Sequence, residues 1–382
     1  MLLSNAYRPD PRVAREAQAL VKSGYRVTII CWDREAALPA RETQGNLTIV
    51  RVQNVRSEYG AGPRQLLYLP RFWAEAIRLA ADLRPDLVHC HDLDTLYAGW
   101  RLKRRLGCPL IYDAHEHYPA LMSLYLPAPF VWALARWERW LLKRVDGTIT
   151  ASTVLSDEFS AQGVHPVITL GNFQDVEPYA TVSPQEVAAL RDALGVSPQD
   201  LVVAYIGGFS RNRMILPLIE AAALAPDLSV HLWGDGAQRA EIEQAAGRQS
   251  NVHYHGWLSA ADLPRTFAAA DVIAYCLRLD YPGAIYNAPN TLSQAMAAGR
   301  PIIGNDVGDL GRIVRATDCG LLIQQATPQA IAAAAEKLRD PALRARLGAN
   351  GLHAAQTTYN AKALQQQFLQ LVAAVLAGKE PA

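Results

Sequence analysis

Short apolar runs rich in β-branched residues alternate with longer segments of helical period along nearly the whole chain, and they do so in two series. That alternation demands βαβ units and a parallel sheet, because parallel strands need crossovers and the crossovers are helices. The first series predicts strands over Met1–Ser4, Arg26–Cys31, Leu47–Val52, Asp86–Cys90, Pro109–Tyr112, Gly147–Ala151 and Pro166–Leu170. Between them, helices are expected over Pro11–Ser23, Arg64–Leu83, Thr95–Leu106, Ala128–Val145 and Thr153–Gln162. The stretch Leu170–Leu201 gathers Gly171, Pro178, Pro184, Gly195 and Pro198, which marks a domain boundary near Leu170–Tyr179. Alternation then restarts with strands Leu201–Ile206, Leu228–Trp233, Val252–His255, Asp271–Cys276, Pro301–Gly304 and Gly320–Ile323. The matching helices are Met214–Ala225, Gln238–Arg248, Ala260–Ala270, Asn290–Ala298 and Pro328–Leu338, followed by an amphipathic helix Ala361–Ala377.

The expected fold class is therefore α/β, with two doubly wound domains over 1–170 and 171–360 and a last helix over 361–382. A length of 382 residues fits two domains at roughly 150 residues each. Two such domains in series imply a ligand cleft between the carboxyl ends of their sheets. Lys and Arg number 37 against 36 Asp and Glu, so the net charge of +1 gives no global field for nucleic acid. Five widely spaced cysteines without a C-x-x-C argue against a disulfide scaffold or a structural zinc site. The amino terminus turns polar within five residues, unlike a signal peptide, and no apolar run reaches the roughly 18 residues of a spanning helix. The expected location is the cytoplasm.

In the second half, the strand Leu201–Ile206 runs into Gly207-Gly208-Phe209-Ser210-Arg211-Asn212-Arg213 and then a helix. Glycines let the backbone approach a ligand, and a helix N-terminus presents N–H groups to an anion. Arg213 and Arg211 would add guanidinium contacts to a diphosphate. Gly234-Asp235-Gly236 repeats that logic after the next strand, although an ordinary tight turn accounts for either glycine loop. Farther on, a loop ending in Pro289-Asn290 opens a small-residue helix, with Asn290 as its expected N-cap. Asp306-Val307-Gly308-Asp309 reads as a polar loop after the following strand.

In the first half, His89-Cys90-His91-Asp92 and Asp113-Ala114-His115-Glu116-His117 close two buried strands with polar clusters. Alternate residues of a strand share a face, so His89 with His91, or His115 with His117, could chelate a metal. The H-x-H-x-D-H and H-E-x-x-H spacings of metal hydrolases are absent, and imidazole donating to a ligand oxygen is the competing reading. On the segment Ala128–Val145, Leu134, Trp137, Leu141 and Val145 form an inner stripe, and Trp132, Arg136, Arg139 and Lys143 form another face. Tryptophan and arginine together suggest peripheral contact with an anionic membrane at its inner face; a solvated basic face is the alternative.

Taken in order, these segments resemble the retaining GT-B glycosyltransferases of group 1, the family-4-like type. The resemblance runs from Pro9–Glu16 and Gly24–Thr28 through His89–Asp92, Tyr112–Pro119 and Trp137-Glu138-Arg139 to Gly171-Asn172. It continues with Gly207–Arg213, Gly234–Gly236 and Pro289–Pro301. It implies two Rossmann-like domains facing a cleft, the first for the acceptor and the second for a nucleotide-diphosphate sugar, with the last helix returning to the first. It further implies transfer with retention, no metal and no cofactor, with orientation and charge stabilisation at the diphosphate as the protein's contribution.

Carried across by position, the resemblance puts Arg213 where the family has a phosphate-binding Lys, Gly208 where it has an Arg, and His115 at a histidine reaching the transferred sugar. Catalytic candidates are thus His115 and Arg213. Donor-binding candidates are Gly207, Gly208, Arg211, Gly234 and Asp235, together with Tyr286, Asn290, Thr291 and Gln294. Acceptor-side candidates are Asp10, His91, Asp92 and His117. The family's paired glutamates, E-x7-E, are replaced by Tyr286 and Gln294, and Thr291 replaces a frequent Lys. An amide keeps one acceptor oxygen for a ribose diol but loses the assistance of charge. The expected function is transfer of a sugar from a nucleotide sugar to an acceptor hydroxyl in envelope polysaccharide or glycolipid synthesis, on a sugar or lipid-linked acceptor. A non-catalytic GT-B scaffold and a metal hydrolase are the alternatives.

Overall fold

The computed structural model describes residues 1–8, 10–57, 67–197 and 199–378. Pro9 of the amino-terminal motif, Pro198, the helix start expected at Arg64 and residues 379–382 lie outside the described residues. The chain divides into two compact units: Met1–Gly171 with the chain from Leu364 onward, and Asn172–Ala363.

The first unit holds strands β1 (Leu2–Leu3), β2 (Val27–Trp32), β3 (Arg41–Gln44), β4 (Leu47–Val52) and β5 (Val88–His91). It continues with β6 (Leu110–Ala114), β7 (Gly147–Thr150) and β8 (Val167–Thr169). They form one sheet in the order β3-β4-β2-β1-β5-β6-β7-β8. Leu2 stands opposite both Ile30 and Cys90, so β1 lies between β2 and β5. Every pairing is parallel except β3 with β4. The chain winds from β1 to one side and resumes at β5 on the other, which makes the carboxyl ends of β1 and β5 a switch point where ligands bind in such sheets.

The second unit is a parallel sheet of β9 (Leu201–Ile206), β10 (Leu228–Trp233), β11 (Val252–Tyr254), β12 (Val272–Tyr275), β13 (Ile302–Asn305) and β14 (Gly320–Ile323). Its order, β11-β10-β9-β12-β13-β14, puts the switch point between β9 and β12. All residues of β9 and β10 are buried, as strands covered by helices on both faces must be.

The helix Ala361–Leu376 packs on the first unit through Phe368, Leu371, Val372 and Val375, against a core that includes Leu3, Ile111 and Ile149. Each such burial stabilises by roughly 1.5–3 kcal/mol. The first-unit packing begins at Leu364, so Ala361–Ala363 group with the second unit instead of the last, and Gly171 with the first. Helices also occupy three stretches read differently from the sequence. Pro184–Ala193 lies inside the stretch Leu170–Leu201 rich in turn formers, Gly308–Thr317 begins within the expected polar loop, and Pro341–Thr357 follows the last expected α/β repeat.

Candidate active site

In the second unit, the turns after β9 and β10 interlock. Gly207 N–H donates to the Trp233 carbonyl at 3.0 Å, and Phe209 N–H to the Asp235 carbonyl at 2.8 Å. A Cβ on Gly234 would stand 1.9 Å from the Gly207 carbonyl oxygen, and one on Gly236 2.6 Å from that of Phe209. Two backbones can therefore approach this closely only because both positions are glycine. Gly208 is exposed, with open space where a side chain would project, and Arg211 is exposed beside it. Asp235 holds its own turn, its Oδ1 accepting from Gly236 N–H at 2.8 Å.

Arg213 turns inward. Its guanidinium lies 4.8 Å from the centroid of the Tyr275 ring on β12, and its Nη1 is buried with no hydrogen-bond partner among the described residues. Tyr205 on β9 directs its hydroxyl to the Gly208 carbonyl at 2.8 Å, and that of Tyr275 lies 3.0 Å from Asn287 Oδ1. Since β9 and β12 flank the switch point, an unsatisfied cationic donor sits where an α/β sheet takes its ligand. A buried N–H of this kind calls for an acceptor, and an anion satisfies it best.

The helix Asn290–Ala297 opens on the same edge. Asn290, expected as its N-cap, is its first residue; Pro289 occupies the cap and has no side chain to accept from the first turn. Asn290 is exposed, and its helix N-terminus is not closed by a side chain, which favours an anion there. The Thr291 side chain is buried and donates its hydroxyl to the Ile206 carbonyl at 3.3 Å, tying the helix to the end of β9. Gln294 is half-buried and hydrogen-bonded to Tyr179, whose hydroxyl is pushed up to about 12 by burial, against the pull of the amide. Tyr286 ends a short 3-10 turn, Pro282–Tyr286, and is half-buried.

In the first unit, the carboxyl ends of β5 and β6 gather a buried charge network. Asp113, the penultimate residue of β6, accepts from Arg12 Nε at 3.1 Å and from Arg12 Nη2 at 2.6 Å. Arg12 also pairs with Glu16 at 3.4 Å and donates to the Leu170 carbonyl at 2.8 Å. His91 Nδ1 lies 3.4 Å from Asp113 and 3.1 Å from His115 Nε2. Asp92 Oδ1 accepts from His115 N–H at 3.2 Å. Asp92 has φ of 62°, a left-handed backbone that costs a non-glycine residue about 1–2 kcal/mol.

These contacts set the charges. Burial raises the Asp113 carboxyl, but the Arg12 guanidinium and His115 hold it well below its usual range. Burial opposes charge on His115 as well, yet Asp92 and Asp113 outweigh it and lift the imidazole to about 9. Burial lowers His91, and it lowers His89 further, with His91 beside it. Glu16 is driven well above its ordinary value by burial and by the charge on Asp113. The network is thus two cations, Arg12 and His115, around Asp113 and Asp92, with neutral His89, His91 and Glu16 behind them.

Glu16, His89, His91 and Asp113 bring one donor atom each within 4.8 Å of one another, the one such grouping among the described residues. Arg12 already lies against Asp113, the one charged carboxylate of the four, so the negative charge that would hold a metal ion is matched by a guanidinium. His115 and His117 do not form a pair: His117 Nδ1 accepts from Ala120 N–H at 3.1 Å and caps the short helix Tyr118–Met122. Asp10, expected on the acceptor side, is the N-cap of the helix Pro11–Lys22, accepting from Arg12 N–H at 3.1 Å. It also lines a cavity of about 460 Å³ with Asn5, Arg8, Trp32 and Arg34.

Arg12, Glu16 and Asp113 were not singled out as site residues from the sequence. Their signal was a charged i,i+4 pair on the face of a helix turned to the sheet, and an aspartate inside an apolar strand.

Residues 12–178 match the family described as Glycosyltransferase Family 4, and residues 200–340 match Glycosyl transferases group 1. A GDP-mannose-dependent alpha-mannosyltransferase of Mycobacterium tuberculosis is 25% identical over 71% of this chain and 70% of its own. The putative glycosyltransferase EpsD of Bacillus subtilis is 29% identical over 74% of each chain. The match to a D-inositol 3-phosphate glycosyltransferase of Mycobacterium sp. (strain JLS) spans 59% of that protein. Among solved structures, a sucrose-phosphate synthase of Thermosynechococcus elongatus superposes with a TM-score of 0.83 at 22% identity, over 99% of both chains. HepE of Anabaena in complex with UDP-glucose gives 0.74 at 20% identity over 98% of each. With two parallel-sheet α/β units of this topology and both family matches in sequence order, the chain belongs to the group 1 glycosyltransferases of GT-B fold.

Proposed function

We propose that the enzyme transfers a sugar, with retention at the anomeric carbon and without a metal, from a nucleoside diphosphate sugar to an acceptor hydroxyl. The observation that carries this reading is the buried, unpartnered Arg213 Nη1 at the switch point of the second sheet. A diphosphate there would receive the guanidinium and the open first turn of the helix Asn290–Ala297, beside two turns whose glycines admit close approach. The bond from the anomeric carbon to the phosphate oxygen breaks, and a bond to the acceptor oxygen forms on the same face. The acceptor proton leaves to the departing phosphate. Arg213 is the group that meets the charge building on that phosphate, and charge stabilisation of this kind is commonly the largest contribution to rate.

On the first unit, the cavity beside Asp10 supports binding of a saccharide acceptor, and the His115 cation supports a donor of hydrogen bonds to a sugar oxygen. We place the acceptor among envelope polysaccharides or lipid-linked saccharides, with the reaction at the inner face of the membrane. The test is release of UDP or GDP by purified protein offered a panel of nucleotide sugars. UDP-glucose and GDP-mannose come first, as the ligand of a structural neighbour and the donor named for a relative. Turnover with one donor, reduced by about 10²–10³ in Arg213→Ala, is expected. No turnover with any donor, together with no nucleotide binding by calorimetry, overturns the reading.

A further inference from the structure

We propose that the outer face of the helix Ala128–Leu142 is a docking surface for anionic lipid. The inference extends the envelope reading, on which it rests for the presence of a membrane, but its evidence lies wholly in the first unit.

At 100° per residue, Pro129, Trp132, Arg136, Arg139, Trp140 and Lys143 fall within an arc of about 100°. All six are exposed. Trp132 keeps 64% of its surface in solvent and Trp140 39%, while Phe130, Tyr125 and Leu124 at the leading end keep 64%, 56% and 55%. A soluble surface seldom gathers so many large apolar side chains without covering them.

The cations stand on the aromatic rings. The Arg136 guanidinium lies 5.0 Å from the Trp132 ring centroid, and that of Arg144 lies 3.8 Å from Trp140. Trp140 meets Trp100 edge-on at 4.8 Å, and Arg104 lies 5.4 Å from Trp100, so the patch continues onto the helix Leu93–Leu106. Glu138, the acidic residue of the helix, is buried on the other side, where the Tyr112 hydroxyl donates to it at 3.3 Å.

The exposed arc therefore carries cations and tryptophans and no acid. Tryptophan favours the headgroup level, where its ring is half apolar and its N–H stays wet. Arginine and lysine stems reach past it to phosphate, where each cation is drawn to an anionic surface. No helix among the described residues is long and apolar enough to cross a membrane. The helix lies along the surface.

The test is co-sedimentation of the full chain with vesicles of phosphatidylcholine alone and of phosphatidylcholine with phosphatidylglycerol, at low and high salt. Salt-sensitive binding to the anionic vesicles is expected, and R136E/K143E should weaken it by at least about tenfold. W132S/W140S should weaken it comparably; circular dichroism would show that both variants remain folded. Equal binding to neutral vesicles, no binding, or variants that bind like wild type overturn the proposal. So does a dimer in sedimentation that W132S/W140S dissolves, since that gives the face to a second copy. Nucleotide release with a water-soluble acceptor, measured without vesicles, should be the same in all variants and separates failure of docking from failure of the proposed reaction.

Discussion

His115 Nε2 stands 3.4 Å from the Asp113 carboxylate, and this contact, with Asp92 on the other ring nitrogen at 3.7 Å, keeps the imidazole charged. The folded value of about 9 exceeds the ordinary 6.5, so His115 binds its proton more tightly in the folded state. Its contribution to stability is fully present below about pH 6.5 and is lost as pH rises through about 9. The loss amounts to at most ~3 kcal/mol. Asp94 and Glu138, both raised to about 7, lose theirs at lower pH, so the measurement is a difference. Urea denaturation of wild type and His115→Gln from pH 6 to 9.5 should converge as pH rises. Parallel curves would show that His115 titrates at its ordinary value.

Gly234→Ala should damage the proposed donor half of the site without touching the first unit. The added Cβ meets the Gly207 carbonyl oxygen at 1.9 Å, and backbone cannot move aside as a side-chain tip does. A local shift costing about 1–3 kcal/mol is expected. The turns after β9 and β10 would part, and nucleotide affinity by calorimetry should fall by at least about tenfold, since 1.4 kcal/mol is one decade. Unchanged affinity would place the nucleotide elsewhere.

The strands show why some of this was legible. Leu201–Ile206 has the bounds that its apolar run predicts, because a central parallel strand buried on both faces carries no polar alternation to blur it. The edge strand Arg41–Gln44 escaped notice: three of its four residues are exposed, it runs antiparallel, and no side-chain pattern marks it. Pro184 is a turn former by residue type, yet it is the first residue of a helix whose start is fixed by a capping box between Ser183 and Glu186. Gly308 masked a helix start in the same way. At the site, glycine turns and the inward arginine announce themselves by type and spacing. The Arg12–Asp113 pair joins residues 101 positions apart, and only the folded sheet brings them together.

Gln294→Glu should tighten nucleotide binding. The residue lies on the helix Asn290–Ala297, within hydrogen-bonding reach of Tyr179, so a carboxylate there would have a hydroxyl donor already in place. A ribose diol donates to a carboxylate about twice as strongly as to an amide oxygen. The dissociation constant for the nucleoside diphosphate should fall by about threefold to tenfold. A weaker or unchanged constant, with the variant's melting temperature intact, would mean that position 294 does not face the ribose.

Phe368→Ala tests whether the return of the chain matters to the first unit. The ring is 1% exposed and packs in the core that holds Leu3, Ile111 and Ile149. Its neighbours Leu371 and Val375 lie 3.2 and 3.1 Å from where a Cβ on Gly147 would stand, so the helix sits directly on β7 and has little room to settle inward. Removing a buried phenyl ring from such a site costs about 3–5 kcal/mol. The midpoint of urea unfolding monitored on the first unit should drop accordingly. Nucleotide binding, which we propose for the second unit, should persist until that transition begins. A loss under about 1 kcal/mol would show that the helix is held by its other contacts and that the Phe368 site can collapse.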